Sequence, residues 1–215
     1  MSFVEPQTIA RRKLLQAMRL HFSSSILTNF NNSPLLPAAF FVTDPVRSSD
    51  ILETAQNLPT GFGILYRHFG REDRFYIGNE LKRIATAKRL FLSISEDAHL
   101  EKLIQPHGIH WPKSKLSFLK LSARSNRVHT SSAHTFRQIT KAEKLKLNAC
   151  FVSSVFPSKS PTAPKAMGVH RFRQIARQSH IPLYALGGVT NENAAQISTF
   201  AGISGVTGFH NQDFK

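Results

Sequence analysis

From Leu36 onward, short apolar runs alternate with longer amphipathic stretches, and no other feature of the chain restricts its fold so sharply. The runs are Pro37 to Thr43, Gly63 to Phe69, Leu90 to Ile94, Gly108 to Trp111, Arg127 to Ser131, Cys150 to Phe156, Leu183 to Leu186 and Gly205 to Thr207. A helix period recurs between them over Ser48 to Asn57, Ile77 to Lys88, Glu96 to Ile104, Phe136 to Leu147, Val169 to Gln178 and Glu192 to Phe200. The stretch after the fourth run carries no clear helix. Short buried strands joined by helices are parallel βα units, with right-handed crossovers and both sheet faces covered. About eight units in roughly 180 residues predict a small (β/α)8 TIM barrel. An open doubly wound sheet is the competing arrangement, and the lack of a Gly-x-Gly-x-x-Gly after any strand weakens it. Ser48 or Ser49 is placed to cap the first helix, and Thr190 or Asn191 the last.

No linker or low-complexity tract divides residues 35–215, which read as one barrel domain; residues 1–34 read as an N-terminal extension. There Leu14, Leu15, Met18 and Phe22 recur at helical spacing while Arg12, Lys13 and Arg19 can face water. That is the pattern of an amphipathic helix packed on the barrel. The tail, residues 209–215, is too short for a full eighth helix, so the N-terminal helix is expected to help close that layer.

The chain has 215 residues with 28 Lys and Arg against 13 Asp and Glu, a formal charge of +15, which favours an anionic partner. With 41% apolar residues it is expected to fold rather than stay disordered. The single cysteine, Cys150, excludes an intrachain disulfide and fits a reducing, cytoplasmic setting. The longest apolar stretch, Leu35 to Val42, contains Pro37 and is far too short for a spanning helix, so no membrane partner is expected.

In a barrel, ligands gather at the C-terminal ends of the strands. At one such end, Ala185-Leu186-Gly187-Gly188-Val189-Thr190, a strand runs into two glycines. Bare backbone N–H groups there can approach a phosphate, although an ordinary glycine turn would read the same way. A second end, Val152-Ser153-Ser154-Val155-Phe156-Pro157-Ser158-Lys159-Ser160, offers hydroxyls and an ammonium to an anion, although a solvated Pro/Ser loop would read the same way. A third places Arg67 and His68 after a strand. The chain has ten histidines but no pair at zinc-binding spacing. His134, which follows the fifth strand, is the one placed at the active face. Between Trp111 and Leu147 nine basic residues face one acid, either a solvated surface or an anion-attracting flank.

These segments resemble the thiamine phosphate synthase family, which includes the TenI-like thiazole tautomerases. The resemblance runs from about Ala38 to Gly208. Val42-Thr43-Asp44 is similar to the family's first-strand ending, and Arg67 falls at the Arg of its Gln-Leu-Arg, with Leu65 replacing the Gln. Gly108-Ile109-His110 resembles Gly-Val-His. Ser132-Ala133-His134-Thr135 matches Ser-x-His-Thr, Val155-Phe156-Pro157-Ser158 matches Val-Phe-Pro-Thr, and Ala185-Leu186-Gly187-Gly188-Val189 matches the family's phosphate-binding segment.

The resemblance implies a (β/α)8 barrel acting in thiamine biosynthesis, a transferase coupling hydroxymethylpyrimidine diphosphate to thiazole phosphate with release of pyrophosphate. It implies phosphate on Gly187, Gly188 and the Thr207-Gly208 turn. Ser132 would contact phosphate, and Ser158, Lys159 and Ser160 would reach the pyrophosphate; Arg67 would clamp it and His134 would sit beside the rings, with Arg67, His134 and Lys159 serving catalysis. The family uses Mg²⁺, and here the chain departs from it. The family's Asn-Asp becomes Ser93-Ile94-Ser95, with Glu96 and Asp97 shifted along, and its Gly-Gln-x-Asp becomes Pro112-Lys113-Ser114-Lys115. Mg²⁺ needs oxygen ligands, so Lys113 and Lys115 read as cations standing in for a metal. A TenI-like tautomerase or a non-catalytic phosphate binder is the alternative; Glu72 lies too far along to match the tautomerase glutamate. Small phosphorylated heterocycles are the expected partners, with a homo-oligomer left open. A basic nucleic-acid-binding module is the outside reading, without any recognised motif to support it.

Overall fold

The computed structural model describes residues 36–48, 50–117, 119, 127–161 and 163–206. Eight parallel strands close into a barrel in chain order: β1 (Ala39–Val42), β2 (Gly63–Tyr66), β3 (Phe91–Ser95), β4 (Gly108–Trp111), β5 (Val128–Ala133), β6 (Ala149–Val152), β7 (Leu183–Ala185) and β8 (Gly202–Gly205). The closing ladder pairs Phe40 with Ser204 and Phe41 with Gly205. The described α-helices are α1 (Ile51–Asn57), α2 (Arg74–Lys88), α3 (Ala98–Ile104), α4 (Phe136–Lys144) and α5 (Val169–Gln178). This is the (β/α)8 barrel that the alternating runs predict.

Period-two alternation sorts the strand residues between two cores. Phe41, Ile64, Leu92, Ile94, Cys150 and Ala185 face the helices. Phe40, Val42, Leu65, Phe151 and Tyr184 fill the barrel interior. Phe40 is the hub of that interior, with ring centroids 5.8 Å from Phe91, 5.2 Å from Phe151 and 5.0 Å from Tyr184, all edge-on. Each such pair adds about 1 kcal/mol beyond burial alone. A Cβ on Gly63 would meet the Phe40 ring and one on Gly202 the Tyr184 ring, so these glycines make room for the aromatic floor.

Several boundaries differ from expectation. The eighth strand is Gly202–Gly205 rather than Gly205–Thr207, because Gly202 pairs with Tyr184 and belongs to the sheet. The sixth ends at Val152, where the chain turns so that Val155 and Phe156 N–H donate to Leu186 and Gly187 carbonyls. Asp50, not Ser48, caps α1, its carboxylate accepting from Glu53 N–H at 2.8 Å; the Ser48 hydroxyl instead accepts from Asp44 N–H at 3.0 Å. Neither Thr190 nor Asn191 caps a final α-helix. Only a 3₁₀ turn, Ala194–Gln196, forms there, in a segment rich in Asn, Ser and Thr, whose side chains compete for backbone partners. After β4 the chain makes a short 3₁₀ turn at Lys115–Ser117. The N-terminal helix, Ser49, the Thr207-Gly208 turn and the C-terminal tail lie outside the described residues. Among the described residues no helix is long and apolar enough to cross a membrane.

Candidate active site at the barrel mouth

Above the aromatic floor the interior turns polar. His110, on β4, lies with Nδ1 3.0 Å from the Thr130 hydroxyl and Nε2 2.9 Å from the Ser132 hydroxyl, both on β5. Three inward positions on two neighbouring strands are thereby tied together. Burial pushes the His110 pKa down to about 3, with the nearby Arg67 charge adding to the effect. The ring is therefore neutral near pH 7, with one nitrogen donating and the other accepting, and it holds the Ser132 oxygen in place.

Arg67 leaves β2 half-buried. Its N–H donates to the Thr43 hydroxyl at 2.8 Å, which ties the end of β2 to the end of β1. Burial works against the Arg67 charge, Asp44 supports it and Arg47 opposes it. The guanidinium sits 4.5 Å from the Phe69 ring centre. Phe69 is 59% exposed and has a φ of 44°, a left-handed conformation costly for a side-chain-bearing residue.

His134 follows β5. Its Nδ1 lies 2.8 Å from the Ser153 carbonyl, which can only accept, so Nδ1 carries the proton and donates. The Ser153 hydroxyl is 3.2 Å from the same nitrogen. In the neutral ring Nε2 therefore keeps a lone pair. The His134 N–H donates to Gln138 Oε1 at 2.6 Å, and Thr135 caps α4 through the Gln138 N–H at 3.3 Å. A cavity of about 520 Å³ opens on the α5 side of His134.

Gly187 and Gly188 follow β7 with φ of 86° and 66°, in the region that glycine enters freely. A Cβ on Gly187 would strike the Ser154 hydroxyl and one on Gly188 the Pro157 carbonyl, so the backbone here lies against the β6 loop with no room for a side chain. Asn193 Nδ2 donates to the Gly188 carbonyl at 2.8 Å, and Thr190 N–H donates to Asn193 Oδ1 at 2.9 Å, closing the turn. The Ser154 hydroxyl, buried beside Gly187, makes no hydrogen bond. In the adjoining loop Ser160 N–H donates to the Ser158 hydroxyl at 3.2 Å, while Lys159 is exposed.

At the β3 and β4 ends, Lys115 Nζ lies 3.5 Å from Glu96 Oε1, and the Glu96 N–H donates to the His110 carbonyl at 3.0 Å. Lys113 is exposed. Asp97 is committed elsewhere, capping α3 through Leu100 N–H at 3.0 Å and pairing with Arg74 Nε at 3.2 Å. Burial opposes its charge, but the Leu100 N–H, Arg74 and His68 together hold the carboxyl below its ordinary range. Among the described residues no three His, Cys, Asp or Glu side chains are grouped so as to hold a metal ion.

The fold thus gathers Arg67, Ser132 and His134 at the strand ends, with Gly187, Gly188, Ser158 and Ser160 on the β6–β7 side. His110 and Ser153 were not singled out as site residues by the sequence. The sequence carries a signal for each, His110 in the Gly108-Ile109-His110 resemblance and Ser153 at the start of the hydroxyl-rich strand end, but neither signal names a role.

A family model described as thiamine monophosphate synthase matches residues 39–210. A thiamine-phosphate synthase of Methanococcus vannielii is 19% identical over 171 residues, covering 78% of this chain and 82% of that protein. One from Limosilactobacillus fermentum is 29% identical over 133 residues, covering 60% of this chain and 62% of its own. In three dimensions the chain is similar to thiamine phosphate pyrophosphorylase from Pyrococcus furiosus, with a TM-score of 0.64 at 18% identity over 78% of this chain and 84% of that one. That likeness establishes the shared barrel.

Proposed function

The chain belongs to the thiamine monophosphate synthase family, and from that premise we propose that it couples hydroxymethylpyrimidine diphosphate to thiazole phosphate, without Mg²⁺. The observation that carries this reading is the mouth itself. It has a side-chain-free glycine turn on one flank and a half-buried guanidinium with an oriented serine hydroxyl on the other. Two anionic groups can be held at once across such a mouth.

In the coupling, the bond between the pyrimidine methylene carbon and the diphosphate oxygen breaks, and pyrophosphate leaves with the electron pair. The thiazole nitrogen lone pair then forms the new carbon–nitrogen bond. Charge grows on the departing oxygen, so fixed donors aimed there lower the barrier. Arg67 and Ser132 serve that role, with His110 Nε2–H donating to Ser132 Oγ so that the hydroxyl hydrogen is left for the departing oxygen. Gly187, Gly188, Ser158 and Ser160 hold the thiazole phosphate, together with Lys159 at the rim. His134 lies beside the rings.

The residues do not suit the family's metal. Mg²⁺ is bound by carboxylate, phosphate and water oxygens, and an ammonium 3.5 Å from Glu96 occupies the charge complement that a cation would need. Lys115 and Lys113 neutralise the diphosphate instead. A thiazole phosphate tautomerase is the second reading, favoured by the anchoring of His134 through Nδ1 on the Ser153 carbonyl, which leaves Nε2 as the nitrogen available for proton transfer. Incubating the full chain with both substrates and following thiamine phosphate tests the first reading; isomerised thiazole phosphate without coupling selects the second.

A further inference from the structure

His134 and Ser153 border a cavity whose other walls take no part in the proposed coupling. Arg67, Lys159, Gly187 and Gly188 do not line it. Its walls come from the start of α4, the 164–167 loop and one face of α5, where Arg171, Gln174, Ile175 and Gln178 fall at the i, i+3, i+4, i+7 spacing of a single helix stripe. No carboxylate lines it, and the charged side chains there are Lys165 and Arg171. Both are exposed, and neither makes an ion pair among the described residues. Two uncompensated cations on adjoining elements suit a dianion better than a single carboxylate.

The remaining wall has a different chemistry. Phe136, 39% exposed, and Met167 supply apolar surface of the kind that takes the face of a flat ring. At about 520 Å³ the cavity falls within the range of small-molecule sites and exceeds the needs of a lone phosphate.

We propose that this cavity is a second ligand site, for a planar nitrogen heterocycle carrying a phosphate, with the ring against Phe136 and Met167 and the phosphate on Lys165 and Arg171. Its test requires no turnover and so stands apart from the coupling reaction. Adenosine monophosphate serves as the probe, titrated calorimetrically against the full chain, with adenosine and inorganic phosphate as separate arms. The expected result is saturable binding of the nucleotide, at least tenfold tighter than either fragment. Lys165→Glu with Arg171→Glu should weaken it at least tenfold. Lys144→Glu with Arg177→Glu, an equal charge change away from the cavity, should alter it less than twofold. The proposal is overturned if the wild-type chain does not bind the nucleotide, or if the two charge pairs weaken binding equally.

Discussion

Lys115 and Glu96 form an ion pair between the ends of β3 and β4, Nζ 3.5 Å from Oε1. Both side chains are partly exposed, so the pair adds little to stability. Its weight is in the sign of the charge at the mouth. An ammonium there attracts a diphosphate directly, whereas a second carboxylate would need a cation first.

Pyrophosphate affinity should therefore ignore magnesium. Calorimetric titration of inorganic pyrophosphate is expected to give the same affinity in Mg²⁺ and in chelator, within about twofold. In Lys115→Asp, affinity in chelator should drop about tenfold, the loss of one charge-assisted contact, and added Mg²⁺ should restore it. Wild-type binding that requires Mg²⁺ would contradict the assignment.

The buried imidazole makes stability acid-sensitive. His110 in the folded chain resists protonation down to about pH 3, while in the unfolded chain it takes up a proton near pH 6.5. The folded state thus keeps its full advantage above pH 6.5 and loses it as pH falls, by at most about 1.4 kcal/mol per unit for this one group. Burial lowers His68, His107 and His129 as well, and these act in the same direction. Denaturant unfolding of His110→Asn from pH 6.5 to 4.5 should show a shallower slope than wild type. An identical slope would mean that His110 is not the buried titrating group.

The glycine turn admits no side chain. Gly188→Ala is expected to cost about 1–2 kcal/mol from its left-handed backbone alone, and more from the clash with Pro157. Gly188→Asp adds a carboxylate to the cradle and should abolish thiazole phosphate binding. Equilibrium dialysis that finds unchanged affinity in Gly188→Asp would remove the phosphate from this turn.

The aromatic floor should dominate stability. Phe40→Ala deletes a ring that three other rings meet edge-on, and is expected to cost about 3–5 kcal/mol in urea unfolding. A loss below about 1 kcal/mol would mean that the interior repacks freely.

The barrel was legible because burial on both faces of a parallel sheet writes each strand as an apolar run, and Gly108–Trp111 and Val169–Gln178 match their expected bounds. The ends were less legible. Gly202 and Ile203 read as loop because the demand for a glycine comes from the Tyr184 ring, a residue on another strand. The site followed the same rule: Gly187 and Gly188 are locally marked, whereas the His110 link to Ser132 joins positions 22 apart in the chain and depends on the β4–β5 register. Apart from His134 and Thr135, the outer cavity is assembled from residues that carry no motif.

The most direct test is formation of thiamine phosphate from hydroxymethylpyrimidine diphosphate and thiazole phosphate by the purified chain, measured in Mg²⁺ and in chelator. The account predicts equal turnover in both, with pyrophosphate released in step. Turnover confined to Mg²⁺ would contradict the role given to Lys115, and no coupling in either condition would contradict the proposed reaction itself.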